Sequence, residues 1–66
     1  MPITYRPLWE TMALKHISTY YLINHGISKA TIDRLKHDRP VTTNTVALLC
    51  EIIGCQPGDI LKYRSE

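Results

Sequence analysis

Four residues in one short stretch, Lys29, Ala30, Asp33 and Arg34, carry side chains suited to reading the edges of nucleic-acid bases. At 3.6 residues per turn their spacing sets all four on one arc of a helix. The guanidinium of Arg34 can donate two parallel hydrogen bonds to O6 and N7 of a guanine, and Lys29 can donate to the same atoms. One good bidentate pair discriminates its base by about 1–3 kcal/mol, which makes Arg34 the strongest base-reading candidate. Ala30 has no hydrogen bond to offer, but its methyl can touch a thymine methyl. Asp33 can accept from cytosine N4; because a carboxylate near phosphates is unfavourable, pairing with Lys29 or Arg34 to fix their rotamers is the expected role. Around these four stand hydroxyls and cations able to bond phosphate oxygens: Thr19, Tyr20, Ser28, Thr31, Lys36, His37 and Arg39. An ordinary structural role competes equally for each of them, with Ser28 as a cap, Thr31 as packing, and Lys36 and Arg39 as solvated charges.

Other chemistries find little support. No Ser/His/Asp, Cys/His or paired-carboxylate arrangement stands out, no glycine-rich phosphate loop is present, and 66 residues leave little room for a water-excluding pocket, so no enzyme is expected. Cys50 and Cys55 can be read as a disulfide, as half a zinc site or as two small hydrophobes. The last reading is preferred, since Cys50 shares a helical face with Val46, Leu49 and Ile53. His25 and His37 lie at no ligand spacing, so neither a metal nor a cofactor is expected. No stretch approaches the roughly 18 apolar residues that span a membrane, and no export signal opens the chain, which makes the cytoplasm the expected compartment. A formal net charge of +2 says little by itself. Its distribution says more, because Lys29, Arg34, Lys36 and Arg39 face only Asp33 and Asp38 between positions 29 and 39, whereas positions 40–66 hold two basic and three acidic residues.

The elements that must position this arc follow from the punctuation of the chain. Gly26 can take the positive φ of a tight inter-helix turn, Ile27 can plug the angle between helices, and Ser28 is a good N-cap for a helix over Lys29–Lys36. Ile32 and Leu35 then face inward with Thr31 behind them. A first helix is predicted over about Pro7 to Lys15, with Leu8, Trp9, Met12 and Ala13 on one face and Trp9 either in the core, the preferred reading, or at a partly exposed edge of that face. Ser18 or Thr19 caps a short second helix from Tyr20 to about Asn24, with Tyr21 and Leu22 turned inward and Tyr20 and Asn24 outward. Pro40 ends the third helix. Thr42 caps a fourth over Thr43 to Ile53, closed by Gly54 in the left-handed conformation. That helix has more apolar residues than one stripe needs: Val46, Leu49, Cys50 and Ile53 form the main face, and Leu48 and Ile52 extend it sideways. The extra strip needs a cover, either the tail carrying Ile60 and Leu61 beyond the Gln56-Pro57-Gly58-Asp59 turn, or a second copy of the protein. Ile3-Thr4-Tyr5 and Leu61-Lys62-Tyr63 can pair as a two-stranded ribbon, within one chain or between two.

Thr19-Tyr20-Tyr21-Leu22-Ile23, Gly26-Ile27-Ser28, Thr31-Ile32-Asp33-Arg34-Leu35, Val41-Thr42, Leu49-Cys50-Glu51-Ile52-Ile53 and Cys55-Gln56-Pro57-Gly58-Asp59-Ile60-Leu61 together resemble a compact Cro/phage-repressor-type (XRE-like) helix-turn-helix regulator. The likeness covers nearly the whole chain and implies a single all-α domain over residues 1–66, with five helices and room for a short terminal β-ribbon. It further implies a bacterial transcriptional regulator, usually dimeric on double-stranded DNA. Two features depart from the family pattern. The segment from Ile17 to Gly26 is about one residue short, and Ser18-Thr19 and Lys29-Ala30 stand where relatives commonly carry glutamine, so no operator sequence transfers. The expected function is sequence-specific duplex DNA binding, with Lys29–Lys36 in the major groove of a homodimer's target. The alternative is a protein-interaction module, an antitoxin or mobile-element accessory factor, that uses the apolar side of helix four. In either case Leu48, Ile52, Ile60 and Tyr63 are the candidate dimer or partner surface.

Overall fold

The computed structural model describes residues 2–64. Its order is β1 (Ile3–Thr4), α1 (Arg6–Leu14), α2 (Thr19–Asn24), α3 (Lys29–Lys36), α4 (Thr43–Ile53), a single 3₁₀ turn (Pro57–Asp59) and β2 (Lys62–Tyr63). The fifth helical position is therefore one turn, closed by the Gln56 amide donating to the Asp59 carboxylate at 3.1 Å.

Local chemistry sets the boundaries. Ser18, Ser28 and Thr42 cap α2, α3 and α4, each side chain accepting from the backbone N–H three residues on. Each helix ends on a left-handed residue: His16 (φ 57°), Gly26 (φ 107°), Asp38 (φ 54°) and Gly54 (φ 77°). The next amide then reaches back five residues, as Ile27 N to Leu22 O at 3.0 Å and Cys55 N to Cys50 O at 3.1 Å. Helix α1 starts differently. Tyr5 precedes it without capping through its side chain; the Arg6 amide donates to the Thr4 hydroxyl (3.2 Å), and the Leu8 amide is shared between the carbonyls of Tyr5 (3.0 Å) and Ile60 (3.1 Å).

The core is built by Tyr5, Leu8, Met12, Leu22, Ile27, Ile32, Leu35, Leu49, Ile53 and Ile60. Several expectations need correction against it. Tyr21 does not turn inward; it is 42% exposed and stacks on the His25 ring, with centroids 4.1 Å apart, because α2 is short and Leu22 alone fills the inward position. Trp9 is half-buried at the edge of the core, and Ala13 is exposed. Tyr5 leaves the strand to open α1, so the ribbon is two residues per strand. That ribbon forms within one chain: β1 and β2 are antiparallel, with Ile3 opposite Tyr63 and Thr4 opposite Lys62. Both cysteines are free and half-buried at the end of α4, where the Cys55 amide donates to the Cys50 carbonyl at 3.1 Å.

Candidate nucleic-acid interface

Helix α3 is anchored on one side and free on the other. Ile32 and Leu35 are buried, while Lys29, Ala30, Asp33 and Arg34 are all exposed. The helix begins on Ser28, whose Oγ accepts from the Thr31 amide at 3.1 Å and lies 2.9 Å from the Thr31 hydroxyl. Both hydroxyls thus hold the first turn together.

The expected pairing of Asp33 with Lys29 or Arg34 is corrected by the structure. Its carboxylate lies 3.4 Å from His37 Nδ1, one turn along, and that nitrogen is also 2.9 Å from the Asp33 carbonyl. Lys29 and His37 both stand four residues from Asp33, and the better orientation, with the acid N-terminal to the base, is the one Asp33 makes with His37. Lys29 and Arg34 are left without an ion pair among the described residues.

Two clefts flank α3. One of about 400 Å³ lies between α3 and the start of α4 and is lined by Thr31, Arg34, Pro40, Val41, Thr42 and Thr45. The other, about 270 Å³, lies between α3 and α2 and is lined by Thr19, Ile23, Lys29, Ile32, Asp33 and Lys36. The helix stands between them as a ridge, with Arg34 over one shoulder and Lys29 and Lys36 over the other. Of the remaining phosphate candidates, Thr19 is half-buried at the start of α2, and Tyr20, Lys36, His37 and Arg39 are exposed. Sequence reasoning missed Thr42 and Thr45 beside Arg34. Their hydroxyls lie 3.1 Å apart, and the spacing of a capping threonine two residues after Pro40 was the available signal.

Asp38 was missed more completely. Its carboxylate accepts from the Tyr5 amide at 3.0 Å and the Thr4 hydroxyl at 3.4 Å, and the Tyr5 hydroxyl donates to the Arg39 carbonyl at 2.9 Å. These bonds fasten the start of the chain to the end of α3. Burial of Tyr5 pushes its phenol above the ordinary value, a backbone hydrogen bond at Val41 offsets part of this, and the Asp38 charge adds to the rise.

The candidate partner surface is divided. Ile60 is fully buried in the chain's own core and is withdrawn from it, because the 3₁₀ turn drives its side chain inward beneath α1 and α4. Leu48 and Ile52 are half-buried and pack against that core, while Tyr63 is 68% exposed.

Comparison with known proteins agrees with this geometry. The family profile of the Cro/C1-type HTH DNA-binding domain matches residues 7–66. A Bacillus subtilis (strain 168) protein described as an uncharacterized HTH-type transcriptional regulator, YozG, is 40% identical over 43 residues, which cover 62% of this chain and 51% of that protein. The chain thus matches about half the length of that relative. The crystal structure of the transcriptional regulator VanUg superposes with a TM-score of 0.88 at 24% identity, covering 98% of this chain and 88% of that one. At that identity the likeness speaks for the fold.

Proposed function

The chain belongs to the Cro/C1-type helix-turn-helix DNA-binding domain family, and we propose that it is a transcriptional regulator that reads a specific duplex DNA site as a homodimer, with α3 in the major groove. The observation that carries this reading is the division of α3, whose Ile32 and Leu35 are sunk in the core while Lys29, Ala30, Asp33 and Arg34 are all exposed. A major groove about 12 Å wide admits such a helix, and Arg34 and Lys29 at its outer face reach base edges. Thr19, Tyr20, Ser28, Thr31, Lys36, His37 and Arg39 hold the register on phosphates, and Thr42 and Thr45 join them beside Arg34. A net charge of +2 gives one copy weak affinity, since each neutralised phosphate adds roughly 0.9 to the salt slope. Two copies double the footprint, and the half-covered Leu48 and Ile52 with exposed Tyr63 supply the surface for pairing.

The test is a binding selection over random duplexes, with the oligomeric state measured by sedimentation in the same buffer. Wild type should enrich a site with two related halves. Arg34→Ala should fold normally and lose preference at one position per half-site, by about 1–3 kcal/mol. Unchanged selectivity would remove Arg34 from the base-reading set, and a monomer on a single half-site would remove the homodimer.

A further inference from the structure

We propose that Arg6, Lys62 and Arg64 form a second phosphate-binding surface, carried on the β-ribbon and the start of α1 and continuous with Arg39. The proposal rests on the reading of α3 as the DNA-reading helix, and extends it to residues outside the helix-turn-helix.

The first argument is distribution. Of the eight lysines and arginines, Lys29, Arg34, Lys36 and Arg39 lie on α3 or just beyond it, and Arg6, Lys62 and Arg64 lie on or beside the ribbon, leaving only Lys15 elsewhere. The two groups meet at Asp38. Lys62 is opposite Thr4 in the antiparallel register, and directly opposed side chains leave the same face of a ribbon. The Thr4 hydroxyl on that face is the one 3.4 Å from Asp38. The Arg64 amide donates to the Pro2 carbonyl, continuing the ladder, so Arg64 follows Lys62 on the same face two residues on. Arg6 is joined from the other direction, its amide bonded to the same Thr4 hydroxyl at 3.2 Å.

The second argument is that none of these cations has an ion-pair partner among the described residues. All three are exposed, and the ion pair recorded among the described residues is between Asp33 and His37. Arg6 opens α1, where the helix dipole disfavours a cation, and no acidic residue occupies the first turn to offset it. The Asp38 carboxylate is turned inward to the Tyr5 amide and Thr4 hydroxyl. Even with Glu10 exposed four residues along α1 from Arg6, three cations leave the group net positive, as a polyanion requires.

The third argument is rigidity. Asp38 and Tyr5 fasten the ribbon to the residues that end α3, so the ribbon cations hold a fixed place relative to Arg34. The partner is accordingly the backbone of the same duplex, beyond the bases that α3 reads.

The experiment measures the affinity of the selected duplex and of a random duplex against salt concentration, for wild type, the triple variant Arg6→Gln/Lys62→Gln/Arg64→Gln, each single variant, and Arg34→Ala. The triple variant should keep the wild-type circular dichroism spectrum and sequence preference, bind both duplexes more weakly, and lose roughly 2–3 per bound protomer from the salt slope, at about 0.9 per phosphate. The single variants should each lose about one per bound protomer, which serves if the triple variant does not fold. Wild-type affinity and slope in the variants would overturn the proposal. Failure of the α3 reading looks different: Arg34→Ala would then leave sequence preference untouched, whatever the ribbon variants do to the slope.

Discussion

Asp38 occupies a left-handed conformation (φ 54°) just past the end of α3, where a β-carbon is disfavoured by roughly 1–2 kcal/mol relative to glycine. Two of the equivalent positions in this chain do hold glycine, Gly26 and Gly54, so the departure at 38 needs a reason. The carboxylate supplies it, because it is the acceptor for the buried Tyr5 amide and the Thr4 hydroxyl. Asp38→Ala keeps the backbone strain and orphans that amide, an unsatisfied group of about 1–3 kcal/mol. Asp38→Gly orphans it too but relaxes the strain. Urea unfolding should therefore rank wild type above Asp38→Gly and Asp38→Gly above Asp38→Ala, with about 1 kcal/mol between the two variants. A glycine variant more stable than wild type would mean the carboxylate bonds contribute less than the backbone strain costs. None of this is visible in the sequence, where Asp38 reads as one acid among cations; its partners are Thr4 and Tyr5, more than thirty positions away.

At the scale of elements, legibility follows from where each helix end finds its hydrogen bonds. Helices α2, α3 and α4 start on Ser18, Ser28 and Thr42, which satisfy an orphan amide locally, so the sequence locates those starts to within one residue. Helix α1 has no side-chain cap on its N-cap residue; Pro7 in its first turn locates the start to within one residue, while the Ile60 carbonyl that shares the Leu8 amide is a contact no local pattern shows. Leu22 and Tyr21 both look inward from sequence, and only packing shows that a six-residue helix sinks just Leu22. Two helix ends also set the response to alkali. Tyr5, before α1, and Cys55, after α4, both hold their protons more tightly than usual, chiefly because burial penalises the charged form; Asp38 adds to this at Tyr5, and Cys50 and Asp59 add to it at Cys55. In each case the unfolded chain gives up its proton first, so the folded state binds more protons and stability falls as pH rises. The window opens near pH 9.0 with Cys55 and extends upward from 10.0 with Tyr5, the ordinary values of the two groups. Thermal unfolding between pH 7 and 11 should show a midpoint unaffected by these groups below pH 9 and falling above it, with the fall reduced in Tyr5→Phe/Cys55→Ala. An equally steep fall in that variant would place the alkaline sensitivity elsewhere.

For the molecule as a whole, the balance between its own core and a partner surface is decided by the tail. A chain of 66 residues lies near the size at which one core yields only about 3–5 kcal/mol, so few apolar side chains can be left for partners. Sequence shows the surplus on α4 but not its owner, since Leu48, Ile52 and Ile60 are all aliphatic and all near it. The structure gives Ile60 to the core at 0% exposure, beneath α1 and α4, and leaves Leu48 and Ile52 half-covered. The three should accordingly respond differently to truncation. Ile60→Ala removes a fully buried side chain, a loss of about 2–5 kcal/mol that consumes most of the stability available at this size. As a monomer it should be largely unfolded at 25 °C by far-UV circular dichroism. Leu48→Ala and Ile52→Ala should stay folded and shift any monomer–dimer equilibrium instead. Because a ligand that binds only the folded state stabilises it by mass action, a saturating amount of the selected duplex should restore helicity to Ile60→Ala, by roughly 2.7 kcal/mol at a hundredfold excess over Kd. Recovery with that duplex and not with a scrambled one would tie the fold and the reading of DNA in one measurement, whereas a well-folded Ile60→Ala would mean the core does not depend on Ile60.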